Sequence, residues 1–386
     1  MDTAASNISR RSLSYKDDDH DLVILVTGGA GFLGSRIVQA LLTKEWVREV
    51  RVLDLLCSES LTISESGEGD AQKTIAWMKG SVTNTEDVQR AVRGADVVIH
   101  TVSVVSEGFM SPAAVEAINV GGTECILRVC SQGNSTPRCV LYAGTVAATI
   151  TDVDVPDKDE STPLPEPTAT IGEYARTKNL AERLMISYDG KSKGGRGVGV
   201  LRTCVLRCPP MYGEGDPYCV TPLIDSVKAC FGYAPNFLDP VRVRAGYVGN
   251  VAEAFAVAAE RLARDPDRAA GKAFFVGDDT EPKSITEFCS PILKSLGYSL
   301  FPVPIPSIVL LLLAHVLELM FSIGSQLLPL NPAGFTLTPS RARLMRIPHT
   351  YSDRWFRHVF NFQPPITPEK AMEATIGFYR DRQQRR

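Results

Sequence analysis

Apolar residues fall into two alternating rhythms between residue 21 and about residue 208. Short apolar runs rich in β-branched residues read as strands buried on both faces. They lie at 22–26 (LVILV), 50–56 (VRVLDLL), 74–80 (TIAWMKG), 96–100 (DVVIH), 138–144 (RCVLYAG) and 198–208 (VGVLRTCVLRC). Between them apolar residues recur at helical spacing, as in Ile37, Val38, Leu41 and Leu42 after Gly34, in 112–130, and in 173–184. Strands alternating with helices predict an α/β fold of the Rossmann type, a doubly wound parallel sheet wrapped by helices. Past 208 the pattern loosens into Pro and Gly clusters, which predicts a smaller substrate-binding lobe over 209–304 with some elements returning to the sheet domain. One clear helix opens there at 247–263.

Residues 305–330 (IPSIVLLLLAHVLELMFSIGSQLLPL) differ in kind. They hold one His and one Glu among largely apolar positions and approach the length of a hydrocarbon core. Glu318 makes a lipid-exposed span costly, so a tilted or interfacial membrane segment also fits. A buried helix of a soluble core is the competing reading. Residues 331–386 return to mixed polar sequence with a basic end, and are expected to pack on the catalytic domain. Residues 1–20 are polar and charged, without a signal-peptide stretch, and read as a disordered tail.

Composition narrows the function. A net charge of −3 and the absence of a Lys/Arg run argue against a nucleic-acid partner. Nine cysteines, an odd number without a C-x-x-C pair, and only five histidines predict no metal site and no disulfide framework. The thiols read as reduced residues of a cytosol-facing protein. Two polar loops, 58–70 and the acidic, Pro-rich 151–168, interrupt the pattern; the second is placed to line a substrate entrance.

The first strand runs into VTGGAGFLGSRIVQALL (26–42), where Gly29, Gly31 and Gly34 make G-x-G-x-x-G and Thr27, Gly28, Gly31 and Gly34 make T-G-x-x-G-x-x-G. Either spacing permits a tight turn, close approach of backbone N–H groups to a pyrophosphate, and close helix–strand packing. The cradle is therefore Gly28, Gly29, Gly31, Phe32, Leu33 and Gly34, with a helix starting near Phe32. Asp54 closes the second strand twenty positions after Gly34, where a carboxylate accepts hydrogen bonds from ribose hydroxyls and repels a 2′-phosphate. Leu55 and Leu56 offer no Arg for that phosphate. NAD is favoured over NADP.

Tyr174 and Lys178, four apart in EYARTKNLAERL (173–184), share one helical face. A neighbouring ammonium favours a phenolate, and such a tyrosine takes the proton of a secondary alcohol as its hydride leaves. Thr145, at the end of the fifth strand, offers a hydroxyl to hold the substrate oxygen. Asn119, in AINVGGTE, either fixes a water or carbonyl that relays the proton or is a structural helix asparagine.

Together these residues resemble the extended short-chain dehydrogenase/reductase family, and within it the 3β-hydroxysteroid dehydrogenase/Δ5-isomerase group, from residue 22 to about 380. TGGAGFLG is similar to the cofactor loop, VVIHT to the fourth strand, INVGGTE to the N-V-x-G-T helix, and the stretch from Leu206, LRCPPMYGEGD, to the L-R-P-x-x-x-Y-G-x-G turn. YVGNVAEAF, FFVGDDTEPKS and FTLTPSRARLM resemble three later segments of the steroid group. The resemblance implies Tyr174 as acid/base, Lys178 as its partner and a ribose ligand, Thr145 in place of the active-site serine, and Ser81 and Thr101 along the cofactor. It departs at three places. Gly144-Thr145 replaces S-S, Gly80-Ser81 replaces a G-D whose carboxylate meets the adenine, and Cys208 precedes the proline of L-R-P. The implied function is NAD-dependent oxidation of a 3β-hydroxyl on a steroid or sterol, with Δ5–Δ4 isomerisation an open addition for which no separate acid/base pair is read. A sterol-4-carboxylate 3-dehydrogenase and a non-catalytic NAD-binding membrane scaffold are the alternatives. The implied setting is the endoplasmic-reticulum membrane, with membrane lipid as a partner, the catalytic domain facing the cytosol, and a homodimer compatible with the family.

Overall fold

The computed structural model describes residues 21–56, 73–105, 110–133, 135–153, 157–193, 199–238, 241–327 and 338–385. The tail 1–20 and the loop 58–70 lie outside the described residues, as do parts of 151–168 and of 305–337. Six strands appear where the apolar runs predict them: β1 (Leu22–Thr27), β2 (Val47–Asp54), β3 (Thr74–Lys79), β4 (Val97–His100), β5 (Cys139–Thr145) and β6 (Arg202–Cys208). Four more pieces, β7 (Met211–Tyr212), β8 (Tyr233–Ala234), β9 (Gly246–Tyr247) and β11 (Ser299–Leu300), form two small ribbons, β7–β9 and β8–β11, in the lobe. The remaining strand, β10 (Lys272–Phe275), pairs in parallel with β6 and completes a seven-stranded sheet ordered β10-β6-β5-β4-β1-β2-β3.

All six residues of β1 are buried: β2 and β4 flank it in the sheet, and its alternate side chains enter core clusters on the two faces. The chain runs outward from β1 through β2 and β3, then crosses back to β4. That reversal opens a crevice at the carboxyl ends of β1 and β4, where ligands of such sheets bind. Helices α1 (Phe32–Leu42), α2 (Thr85–Val92), α3 (Pro112–Glu116), α4 (Gly122–Cys130) and α5 (Gly172–Ser187) connect the strands. The helix expected over 112–130 is interrupted by a π turn at Ala117–Gly121, a distortion that apolar periodicity does not register. The last expected strand begins at Arg202, four residues later than its apolar run.

After α6 (Val220–Ala229), α7 (Val248–Arg264) returns to the sheet domain and packs on α1, followed by β10. The lobe adds α8 (Ile285–Ser295), started by a capping box of Ser284 and Glu287. Then follow α9 (Ser307–Leu327), α10 (Pro339–Leu344), α11 (Arg354–Phe360) and α12 (Pro368–Gln384). On α9, Ile308, Val309, Leu312, Leu313, Val316, Leu319 and Met320 are exposed while Ser307 and Ala314 are buried. At 100° per residue the exposed apolar positions fill one side, His315 stands at its margin, and Glu318 lies beyond it toward Ser307 and Ala314. Among the described residues no helix is long and apolar enough to cross a membrane.

The C-terminal helices hold the edge strand. Phe274 of β10 meets Phe360 at 5.1 Å and Phe356 at 6.3 Å between ring centroids, and those two rings lie 4.6 Å apart. Tyr379 of α12 reaches the lobe, with its Oη 2.9 Å from Thr221 Oγ1. Replacing Phe360 by Ala should cost about 3–5 kcal/mol, read as a lower urea midpoint. A loss below about 1 kcal/mol would show that α11 does not secure β10.

Candidate active site

The crevice is floored by the glycine turn. Gly28 adopts φ +79°, a conformation L side chains rarely take, and its carbonyl accepts the Gly31 N–H at 3.0 Å. A Cβ on Gly34 would overlap that same carbonyl, so only glycine lets α1 start this close to β1. Gly31 caps α1 with no side-chain hydrogen bond, which leaves first-turn amides for an anion. Leu33 is buried and Phe32 packs against the core. Asp54 Oδ2 accepts the Ala30 N–H at 3.0 Å, fixing its carboxylate at the mouth of the turn. Thr101 donates to the Thr27 carbonyl at 2.8 Å and so ties the ends of β1 and β4 together.

Position 81 lacks the expected carboxylate, yet α2 brings one there. Asp87 Oδ2 accepts the Ser81 N–H at 3.0 Å, and its other oxygen pairs with Arg90 at 2.8 Å. Bare backbone, an uncapped helix start and a fixed carboxylate fit a dinucleotide with free ribose hydroxyls. Asp54 ends β2 and Ser81 follows β3, on the far side of the switch point from Thr145 and Tyr174.

The chemistry gathers at the ends of β5 and β6. Thr145 closes β5 and its hydroxyl accepts the Ala147 N–H at 3.2 Å, starting a short 3₁₀ turn. Tyr174, in the first turn of α5, faces Thr145 and Ser103. Contrary to the lowering expected from Lys178, burial pushes its phenol above the usual range, while the Thr145 and Ser103 hydroxyls act to lower it. Ser103, in the loop after β4, went unread in the sequence because nothing marks one serine of a loop.

One turn along, Lys178 is fully enclosed at 2% exposure. Its Nζ donates to the Ala143 carbonyl at 2.6 Å and lies 4.1 Å from the centre of the Tyr142 ring. Burial brings its pKa down to about 7, with the nearby Cys208 and Glu182 acting to raise it. His100, buried beneath, stays neutral; burial and Lys178 hold its pKa down at about 3. Its ring nitrogens meet Thr27 Oγ1 at 2.7 Å and Thr123 Oγ1 at 3.1 Å.

Asn119 sits in the π turn and is buried. Its Oδ1 accepts the Val104 N–H at 2.8 Å, and its Nδ2 donates to the Val104 carbonyl at 3.1 Å and to Thr177 Oγ1 at 3.0 Å. These contacts join the loop carrying Ser103 to the helix carrying Tyr174. π turns commonly mark such functional positions. Tyr174, Thr145 and Lys178 thus come together, and Asn119 stands behind them as a tether.

A lysine with a depressed pKa destabilises the fold wherever it must be charged. The unfolded chain binds the extra proton between about pH 7 and about pH 10.4, so this cost is full below 7 and fades as pH rises. Lys178→Met should therefore raise the ligand-free protein's stability most at pH 6 and least at pH 10, measured by urea unfolding. A difference constant with pH would mean that Lys178 stays charged throughout.

The model of the "3-beta hydroxysteroid dehydrogenase/isomerase family" matches residues 25–306. Mouse 3 beta-hydroxysteroid dehydrogenase type 7 is 30% identical over 92% of this chain and 95% of its own length. Mouse sterol-4-alpha-carboxylate 3-dehydrogenase, decarboxylating, is 28% identical over 91% and 89%. Among solved structures, dTDP-glucose 4,6-dehydratase from Streptomyces venezuelae, with NAD bound, superposes with a TM-score of 0.66. It shares 19% identity over 94% of this chain and 98% of that one, a likeness of fold.

Proposed function

This chain belongs to the 3-beta hydroxysteroid dehydrogenase/isomerase family and is an NAD-dependent oxidoreductase, and from that premise we propose that it oxidises the 3β-hydroxyl of a sterol or steroid to the ketone. The reading rests on one observation, the Tyr174 phenol facing the Thr145 hydroxyl with the Lys178 ammonium enclosed one turn away. NAD, when bound, supplies the hydride acceptor; the glycine turn and the start of α1 would hold its pyrophosphate, and Asp54 its adenosine ribose. Thr145 positions the substrate oxygen. Tyr174 Oη takes the hydroxyl proton as the C–H bond is lost. Lys178 is enclosed in the wall of the site and is the candidate ligand of the second ribose.

The exposed apolar side of α9 suits an interfacial membrane helix, with His315 and Glu318 toward headgroups or protein. An apolar substrate partitions into the same phase. We place the enzyme at the endoplasmic-reticulum membrane with its catalytic domain toward the cytosol, the organelle following from the family resemblance. A 4-carboxylated sterol is the second substrate reading, favoured by the mouse decarboxylating relative.

The test is NADH production by purified protein across 3β-hydroxysteroids, bile-acid precursors and 4-carboxysterols. Tyr174→Phe should abolish turnover while leaving NADH binding nearly intact, and Thr145→Ser should retain more activity than Thr145→Ala. Full turnover by Tyr174→Phe would place the proton elsewhere. For the cofactor, NAD should be used far better than NADP, and Asp54→Ala should narrow the gap. Equal use by the native protein would overturn the role given to Asp54.

A further inference from the structure

The lobe exposes a second set of large apolar side chains beside α9. β8 and β11 pair through Tyr233↔Ser299 and Ala234↔Leu300, and a further bridge joins Phe237 to Ile305, two residues before α9 begins. On this ribbon Phe231 is 95% exposed, Leu238 65% and Val303 62%. Tyr233 and Phe301 are also exposed, their rings edge to face at 6.2 Å.

Phe231 is also conformationally unusual. It closes α6 at φ 55°, in the left-handed region that favours glycine, and Gly232 follows at φ +86°. A bulky residue there costs on the order of 1 kcal/mol. At 95% exposure its ring recovers almost nothing by packing within the chain. The turn thus carries an aromatic where glycine would be easier, and points it outward.

We propose that this ribbon is a second membrane-insertion element, with Phe231, Leu238, Phe301 and Val303 entering the acyl region beside α9. Lipid is the partner this shape fits. Fluid acyl chains accept exposed apolar side chains that a protein partner would have to match in shape. The ribbon leads through Ile305 directly into the exposed apolar side of α9. Exposed cations flank it, Lys228 three residues before Phe231 and Lys294 in the last turn of α8, with Asp225 the neighbouring acid. Such charges suit anionic headgroups. The proposal rests on the membrane reading of α9 and adds a second contact that fixes how the lobe faces the bilayer.

The experiment introduces a reporter at each element of the full chain, Phe231→Trp or Leu312→Trp, against the background of Trp46, Trp77 and Trp355. Each variant is reconstituted with phosphatidylcholine–phosphatidylserine vesicles, plain or brominated in the acyl chains. The added emission of both variants should be roughly halved by bromine, as for side chains lying about 5–10 Å into the interface. If Leu312→Trp is quenched and Phe231→Trp is not, the ribbon faces water and the proposal falls while the α9 reading stands. If neither is quenched, both fall. Quenching of Phe231→Trp alone overturns the paired contact and the α9 reading together.

Discussion

The site depends on burying polar side chains along α5 without leaving them unpaired. Thr177, Lys178, Asn179 and Glu182 are all buried, and each reaches a different neighbour. Thr177 accepts from Asn119 of the π turn, and Lys178 donates to Ala143 of β5. Asn179 donates to the Ala148 carbonyl at 3.0 Å and to the Pro165 carbonyl at 3.0 Å. Glu182 pairs with Arg207 of β6 at 2.6 Å. A buried ion pair contributes little net stability, yet removing one partner strands the other at about 3–5 kcal/mol. The fold therefore has one sharply preferred seat for α5, and Tyr174 inherits it.

In that arrangement Asn119 is a tether between two elements. Its side chain uses both sides of the Val104 peptide and the Thr177 hydroxyl, bringing Ser103 and Tyr174 into one site. The π turn at 117–121 lets a helix that otherwise packs on apolar residues aim this amide inward. The helix asparagine reading and the relay reading of the sequence differ in what the amide is free to do. Here its contacts are with the Val104 backbone and the Thr177 hydroxyl.

Much of this was legible in the sequence because it rests on period and on glycine. The six strand runs, the glycine turn and Asp54 have local causes, and the structure places them at one crevice. The rest is non-local. β10 is only four residues, KAFF, too short to announce that it joins β6. On α5 the apolar positions Ala175, Ala181 and Met185 are buried, but so are Thr177, Lys178, Asn179 and Glu182, which apolar periodicity does not mark. A polar residue whose partner lies on another element looks like a solvated one until the fold brings the two together. Ser103 escaped for the same reason. The helix boundary at 117–121 was missed because a π turn keeps the apolar rhythm of its neighbours.

The departures from the steroid-group pattern have physical counterparts in the structure. Ser81 cannot supply a carboxylate, but its backbone N–H and that of Thr83 are held by local oxygens, Asp87 Oδ2 and Ser81 Oγ, which keeps the β3–α2 turn in place. Thr145 retains the hydroxyl and adds a methyl that stiffens its rotamer, which favours one orientation of the group facing Tyr174. Cys208 is buried, and burial pushes its thiol up to about 12. Beside Lys178 it is therefore neutral, a small apolar wall rather than a nucleophile. A site of this composition concentrates its polarity in a few hydroxyls and one enclosed lysine.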